Sequence, residues 1–176
     1  MIGSQLLLLL RRRREEDNLS FATVAPQFSD QAIVSSVNYH FSQNFSLAAN
    51  AVYCNETPEV DESQNMVEVL IQTFEVPRFR KGAYKRVRVD VLVHVWYRAS
   101  VSLYGAEDLA EEVASVFDHA VFDVVDYDTV ANVVVGNLQL QEAVTADLSD
   151  FQRDDLSVNY RHLLVKVRGV AQEIAY

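Results

Sequence analysis

Two clusters hold ten of the fifteen cationic side chains in this 176-residue chain. One is Arg11, Arg12, Arg13 and Arg14. The other is Arg78, Arg80, Lys81, Lys85, Arg86 and Arg88, with Phe79 and Tyr84 interleaved. Cations alternating with aromatic rings can stack on bases and hold phosphates, or clamp an acidic protein surface. The formal net charge is −10 and the pI about 4.8. That charge opposes steering toward DNA or an anionic membrane, so an acidic protein surface is the favoured partner. Such a surface is available on sister copies, because the remainder of the chain is strongly acidic. A purely solvated turn would not need six cations so close together.

Other groups that could do chemistry are scattered. His40, His94, His119 and His162 have no ligand at metal-binding spacing. His94, near Trp96 on a strand, fits a general base or, more simply, an imidazole packed beside an aromatic ring. Glu107, Asp108, Glu111 and Glu112 open a helix, where carboxylates complement the positive end of the dipole without any bound cation. Asp123, Asp126 and Asp128 lack the spacing and glycine of a calcium loop. Cys54 is the single cysteine, so no intrachain disulfide forms, as in proteins of reducing compartments. No glycine-rich phosphate loop, zinc-protease helix or nucleophile elbow is present. The reading is of a non-enzymatic protein with no catalytic residue, metal or cofactor.

The elements that position the cationic cluster are legible from periodicity. Val67, Val69, Ile71 and Thr73 alternate with other residues, and so do Val87, Val89, Val91, Val93, Val95 and Tyr97. This is the period of two expected of half-buried strands. Pro77 and Gly82 mark the connection, so a long β-hairpin spans Met66 to Arg98 with a cationic tip projecting from the domain. Ser29 suits an N-cap. Ile33, Val37, Phe41, Phe45 and Ala49 then recur every four residues, with Val34, Ala48 and Val52 beside them, predicting a helix of about six turns. Its other face is Ser, Asn and Gln, which tolerates either water or a neighbouring subunit. A second helix is expected over 105–122 and a turn over 123–128. Short strands follow at 131–135 and 138–144, broken at Gly136-Asn137. An acidic connection covers 145–158, and a last strand 158–170. The fold class is α+β in the order α-β-β-α-β-β-β, a mainly antiparallel sheet with two helices on one face. Residues 29–176 form the domain and 1–28 an extension. The Leu6–Leu10 run is far shorter than the roughly 20 residues of a membrane span. It precedes rather than follows its arginines, so the chain reads as soluble and not exported. An arm ordering on a partner and a frayed tail both fit this extension.

With that order in place, residues 29–176 resemble the tail terminator (tail completion) proteins of long-tailed bacteriophages. The likeness rests on the helix and the charged hairpin. It also rests on the strand Val-Arg-Val-Asp-Val-Leu-Val-His-Val-Trp-Tyr-Arg (87–98), the helix opening Gly-Ala-Glu-Asp-Leu-Ala-Glu-Glu-Val (105–113) and the closing strand Asn-Tyr-Arg-His-Leu-Leu-Val-Lys-Val (159–167). The resemblance implies a structural virion protein that forms a ring, commonly hexameric, at the head-proximal end of the tail tube. Such a ring ends tube polymerisation and joins tail to head, with tube protein below and a stopper or portal-side neck protein above. DNA passes through it unread, and assembly takes place in the host cytoplasm. The interface candidates are then Arg78, Phe79, Arg80, Lys81, Tyr84, Lys85, Arg86 and Arg88, with Arg11 to Arg14 as arm contacts. A head-completion or adaptor ring of the same neck is the nearest alternative, and a small nucleic-acid-binding module the more distant one.

Overall fold

A computed structural model describes residues 25–45, 50–54, 65–77, 84–98, 105–129, 131–149 and 160–174, with backbone alone at 50–54. In chain order the elements are α1 (Asp30–Asn44), β1 (Asn50–Cys54), β2 (Asn65–Glu75), β3 (Arg86–Arg98), α2 (Gly105–Phe117), β4 (Val121–Asp126), β5 (Val133–Leu140), β6 (Val144–Asp147) and β7 (Tyr160–Glu173). The described strands make one sheet in the order β1-β2-β3-β7-β5-β4, with β6 also on β7. Every pairing is antiparallel except β1 with β2. The α+β class and the placement of both helices on one side are as expected.

Alternation explains which face the helices cover. On β3, Val87, Val89, Val91, Val93 and Val95 are fully buried, and Val165 and Val167 of β7 join them. β-Branched side chains at every second position form a flat apolar floor. The helix α2 lies across β3 and β7 on Ala106, Leu109, Ala110, Val113 and Phe117; α1 lies across β4 on Ile33 and Val37. Phe41 joins the two helices, stacked on Phe117 with ring centroids 5.5 Å apart.

The two strands of the hairpin pair as expected, while its projecting tip at 78–83 lies outside the described residues. Met66 pairs with Trp96 and Glu75 with Val87. On the hairpin's other face Met66 and Trp96 are buried together with Tyr160 at the far end. The Trp96 ring lies 3.6 Å from that of His162, whose Nε2 is 2.8 Å from His94 Nδ1.

Several element boundaries differ from expectation, each for a local reason. The first helix ends at Asn44. Ser29 caps it as expected, its Oγ accepting from Ala32 N at 3.1 Å. At the other end Ser42 Oγ donates to Tyr39 O and Asn44 Nδ2 to His40 O, while Phe45, itself extended, donates its N–H to Phe41 O. Residues Asn50–Cys54, part of the stretch expected to be helical, form β1, and 46–49 lie outside the described residues. The second helix stops at Phe117, with His119 in the left-handed region at φ 52°. The β-rich stretch from Val121 then forms β4, where a helix end and a turn were expected. The turn begins only at Asp126, whose Oδ1 accepts from Asp128 N at 3.1 Å.

Gly136-Asn137 does not break a strand; β5 runs through both residues. Gly136 is needed there because the Phe28 ring packs over it, as a Cβ at that position would lie 2.5 Å from Phe28 Cε2. Gln27 N also donates to Asp126 Oδ2 at 2.8 Å, so the stretch before α1 is fastened across β4 and β5. Part of the expected acidic connection is β6, and the last strand extends to Glu173.

Candidate assembly surface

Of the predicted interface residues, Tyr84, Lys85, Arg86 and Arg88 are placed, while Arg78, Phe79, Arg80 and Lys81, like Arg11 to Arg14, lie outside the described residues. The four that are placed sit where β3 begins, and they are not isolated on a bare ribbon. β7 accompanies β3 along its whole length, from Arg98 opposite Tyr160 to Arg86 opposite Gln172. Lys85 N donates to Glu173 Oε2 at 2.8 Å, Glu173 N to Lys85 O at 3.0 Å, and Val76 N to Arg86 O at 3.0 Å. The hairpin end is therefore three strands wide at its base.

The charges there are partly committed. Lys85 Nζ pairs with Glu75 at 3.0 Å. Arg88 lies over the Phe74 ring, 4.3 Å from its centroid. On the helix-free face Arg88 and Arg168 flank Asp90, at 3.7 and 3.4 Å from Oδ1. Asp90 is buried while both arginines are about half exposed, so the pair of guanidinium groups faces outward with one carboxylate beneath them. Arg86 Nε donates to the neutral Gln172 Oε1 at 3.1 Å, which leaves its charge uncompensated by that bond. Exposed pairs of this kind hold geometry more than they contribute stability.

The opposite flank of the sheet has the other sign. β4 is the last strand in the order, and from Asp118 to Asp128 the chain carries Asp118, Asp123, Asp126 and Asp128 with no Lys or Arg. Its edge is joined to α1 through Ser36. A bulge between Val124 and Val125 shifts the β4–β5 register, and Ser36 Oγ accepts from Val125 N there at 2.9 Å while donating to Ala32 O at 2.8 Å. Beside this junction His40 stacks on Phe122, with centroids 4.2 Å apart, and its Nε2 lies 3.0 Å from Val116 O. Tyr39 and Tyr127 face each other at 5.9 Å. Burial, and after it the neighbouring Tyr39, push the Tyr127 phenol above its ordinary value, and the Ser36 hydroxyl opposes them.

Sequence reasoning passed over this flank. It took the outer face of α1 as uncharged Ser, Asn and Gln; Tyr39 and His40 lie among those residues and were the available signal. It also passed over Arg161, which fastens three elements. Its guanidinium donates to Glu107 of α2 and, at 2.9 Å, to Asp147 Oδ2 of β6. The Ser149 hydroxyl and then Arg161 hold the Asp147 carboxyl down at about 2. The acidic opening of α2 is thus anchored at Glu107, while Asp108 and Glu111 face solvent.

Among the described residues no group of three or more His, Cys, Asp or Glu is placed to hold a metal ion, and no helix is long and apolar enough to cross a membrane. His94 Nδ1 lies 2.8 Å from His162 Nε2, and its ring is stacked toward Trp96. What the surface offers is two flanks of opposite charge, one at the hairpin end and one along β4.

No family model and no curated protein matches the chain. Among solved structures, one chain that carries no functional name aligns with 85% of this chain and 99% of its own length, at 13% identity and a TM-score of 0.44. A likeness of that degree carries no argument about function.

Proposed function

We propose that this protein is a structural component of a phage neck, a tail terminator. Its copies would join head to tail in a ring that ends tail-tube growth and receives the head. The observation that supports this reading is the pairing of a cationic hairpin end with an acidic flank on the same small domain. A closed ring built from one kind of subunit by heterologous contacts needs two unlike, complementary patches on each copy. A domain whose patches were alike would instead favour a two-fold dimer. The sequence resemblance supplies the rest of the reading: the ring's place between tube protein and the head-side neck protein, and passage of DNA through its lumen.

The test is size-exclusion chromatography with light scattering, with and without tail-tube protein, followed by electron microscopy of tube lengths. The expected result is a ring, or a complex with tube ends, and tubes that stop growing when the protein is added. A chain that stays monomeric in both conditions and leaves tube length unchanged refutes the proposal.

A further inference from the structure

Exposed apolar side chains on this domain are not spread evenly. Eight large ones are exposed among the described residues, and seven of them fall into two patches. Phe74, Tyr84, Val170 and Ile174 surround the hairpin end, where Phe74, Arg88 and Val170 form one cross-strand row and Ile174 follows the Glu173 that holds Lys85. Tyr39, Val121 and Tyr127 lie along β4, exposed by 55%, 66% and 37%. Scattered single apolar residues on a surface need no explanation, whereas clusters within charged rims mark contact sites.

The β4 patch is concave. Two hollows of about 360 and 250 Å³ run between α1 and the edge of β4 and share His40 and Asn44, making one groove. One end is walled by Val121 and Asp118, the other by Tyr39, Tyr127 and Asp123. The hairpin patch carries Tyr84, 51% exposed, beside a hollow of about 440 Å³ lined by Glu75, Val76, Pro77, Lys85 and Arg86. Among the described residues Lys85, Arg86 and Arg88 stand at the hairpin end against Glu75, Asp90 and Glu173, whereas Asp118, Asp123 and Asp128 are exposed along 118–128, a stretch without Lys or Arg; Asp126 there is buried. Aromatic and apolar surface within rims of opposite sign is the complementarity that sets partner and register. Tyr84 and Arg86, at the start of β3, are separated from β4 by β7 and β5, a lateral span of about 14 Å at 4.8 Å per strand, while Val170 on β7 lies one strand nearer.

We infer that the groove between α1 and β4 is the receptor for the hairpin end of a second copy of this chain. The inference rests on the ring reading above and adds its missing half. In the contact, Tyr84 enters the aromatic groove while Arg86 and its neighbouring cations face Asp123. Since hairpin and groove are different patches, each copy offers one and receives the other, and the chain of contacts can close.

A charge exchange tests this. Asp123 and Arg86 are both exposed, and the only hydrogen bond described for either side chain is that of Arg86 to Gln172, so reversing them leaves the core intact. Asp123→Lys alone and Arg86→Glu alone are each expected to weaken self-association at least tenfold by sedimentation analysis, and the chain carrying both changes is expected to recover most of it. Tyr39→Ser, which changes no charge, is expected to weaken association as well. Circular dichroism and the emission of Trp96 check that every variant is folded. If the wild-type chain assembles and folded Asp123→Lys and Tyr39→Ser chains assemble as tightly, the groove is not the receptor, although the ring reading survives. Failure of the double variant to recover, with both singles impaired, also overturns the direct contact. If the wild-type chain does not assemble even on tube ends, the ring reading itself fails.

Discussion

Replacing Gly136 by Ala is expected to destabilise the domain through a steric conflict that a second substitution relieves. The new Cβ would lie 2.5 Å from Phe28 Cε2 and 2.7 Å from Gln172 O. The first is a side chain that can move, and the second is the backbone of a paired strand. Overpacking costs about 1–3 kcal/mol, and the reduced freedom of the unfolded chain offsets about 0.4–1 kcal/mol of it. A net loss of roughly 1–2 kcal/mol follows. Phe28→Ala alone removes a half-buried ring and is expected to cost roughly 1 kcal/mol. In the double variant the ring is already gone, so only the conflict with Gln172 O remains. The double should be less destabilised than the sum of the singles by about 1 kcal/mol, a coupling well above the scatter of independent sites. Urea unfolding followed by the emission of Trp96, the single tryptophan and 2% exposed, gives all four free energies. Strict additivity would refute the packing of Phe28 over Gly136, and with it the account of why β5 passes through that glycine.

Three further predictions concern the sites that join elements. Gly105→Ala places a Cβ onto the Tyr97 hydroxyl, the nearest atom to it, so a loss of about 1–3 kcal/mol is expected, and Tyr97→Phe in the same chain should restore part of it in the same urea assay. Arg161→Met releases Glu107 and Asp147 together; because both carboxylates are nearly half exposed, solvent screening limits the cost to about 1 kcal/mol. Asp147 also gives that contact a pH dependence. Its folded value is lowered, so its contribution is present above the ordinary carboxylate value near 4 and is lost as pH falls toward about 2. Asp147→Asn is therefore expected to flatten the fall in stability between those limits, and an unchanged acid profile would contradict the assignment.

The parts of this molecule that were readable in the sequence are those whose signal is local. A period of two with valine at five successive odd positions leaves β3 little choice, and the same pattern set the covered face. Boundaries were less readable because competing signals overlap. Phe45 and Ala49 continue a helical rhythm beyond Asn44, yet Phe45 is extended and residues 50–54 form β1. Val121 and Val124 continue a rhythm beyond Phe117, but they belong to a strand whose partner, β5, comes later in the chain. Gly136 looked like a breaker because its reason for being glycine, Phe28, lies more than a hundred residues earlier. The same holds for the candidate site. The cationic cluster is a composition signal and was visible, whereas the groove exists only once α1 and β4 are side by side, and no spacing in the sequence joins Tyr39 to Tyr127.

The position of β7 has a consequence for how the chain is made. It follows every other described strand in sequence, yet it is the only link between β1-β2-β3 and β5-β4. Until residues 160–173 have left the ribosome, the described strands form two half-sheets that share no ladder, with the valine-rich edge of β3 and residues Gly136–Leu140 of β5 unpaired. Such nonlocal closure is slow compared with helix or hairpin formation. It also confers an order of events: the hairpin end is secured to Glu173 and Gln172 only at that last step. An unfinished copy therefore presents an incomplete hairpin end, and quality control over any assembly made through it is built into the strand order.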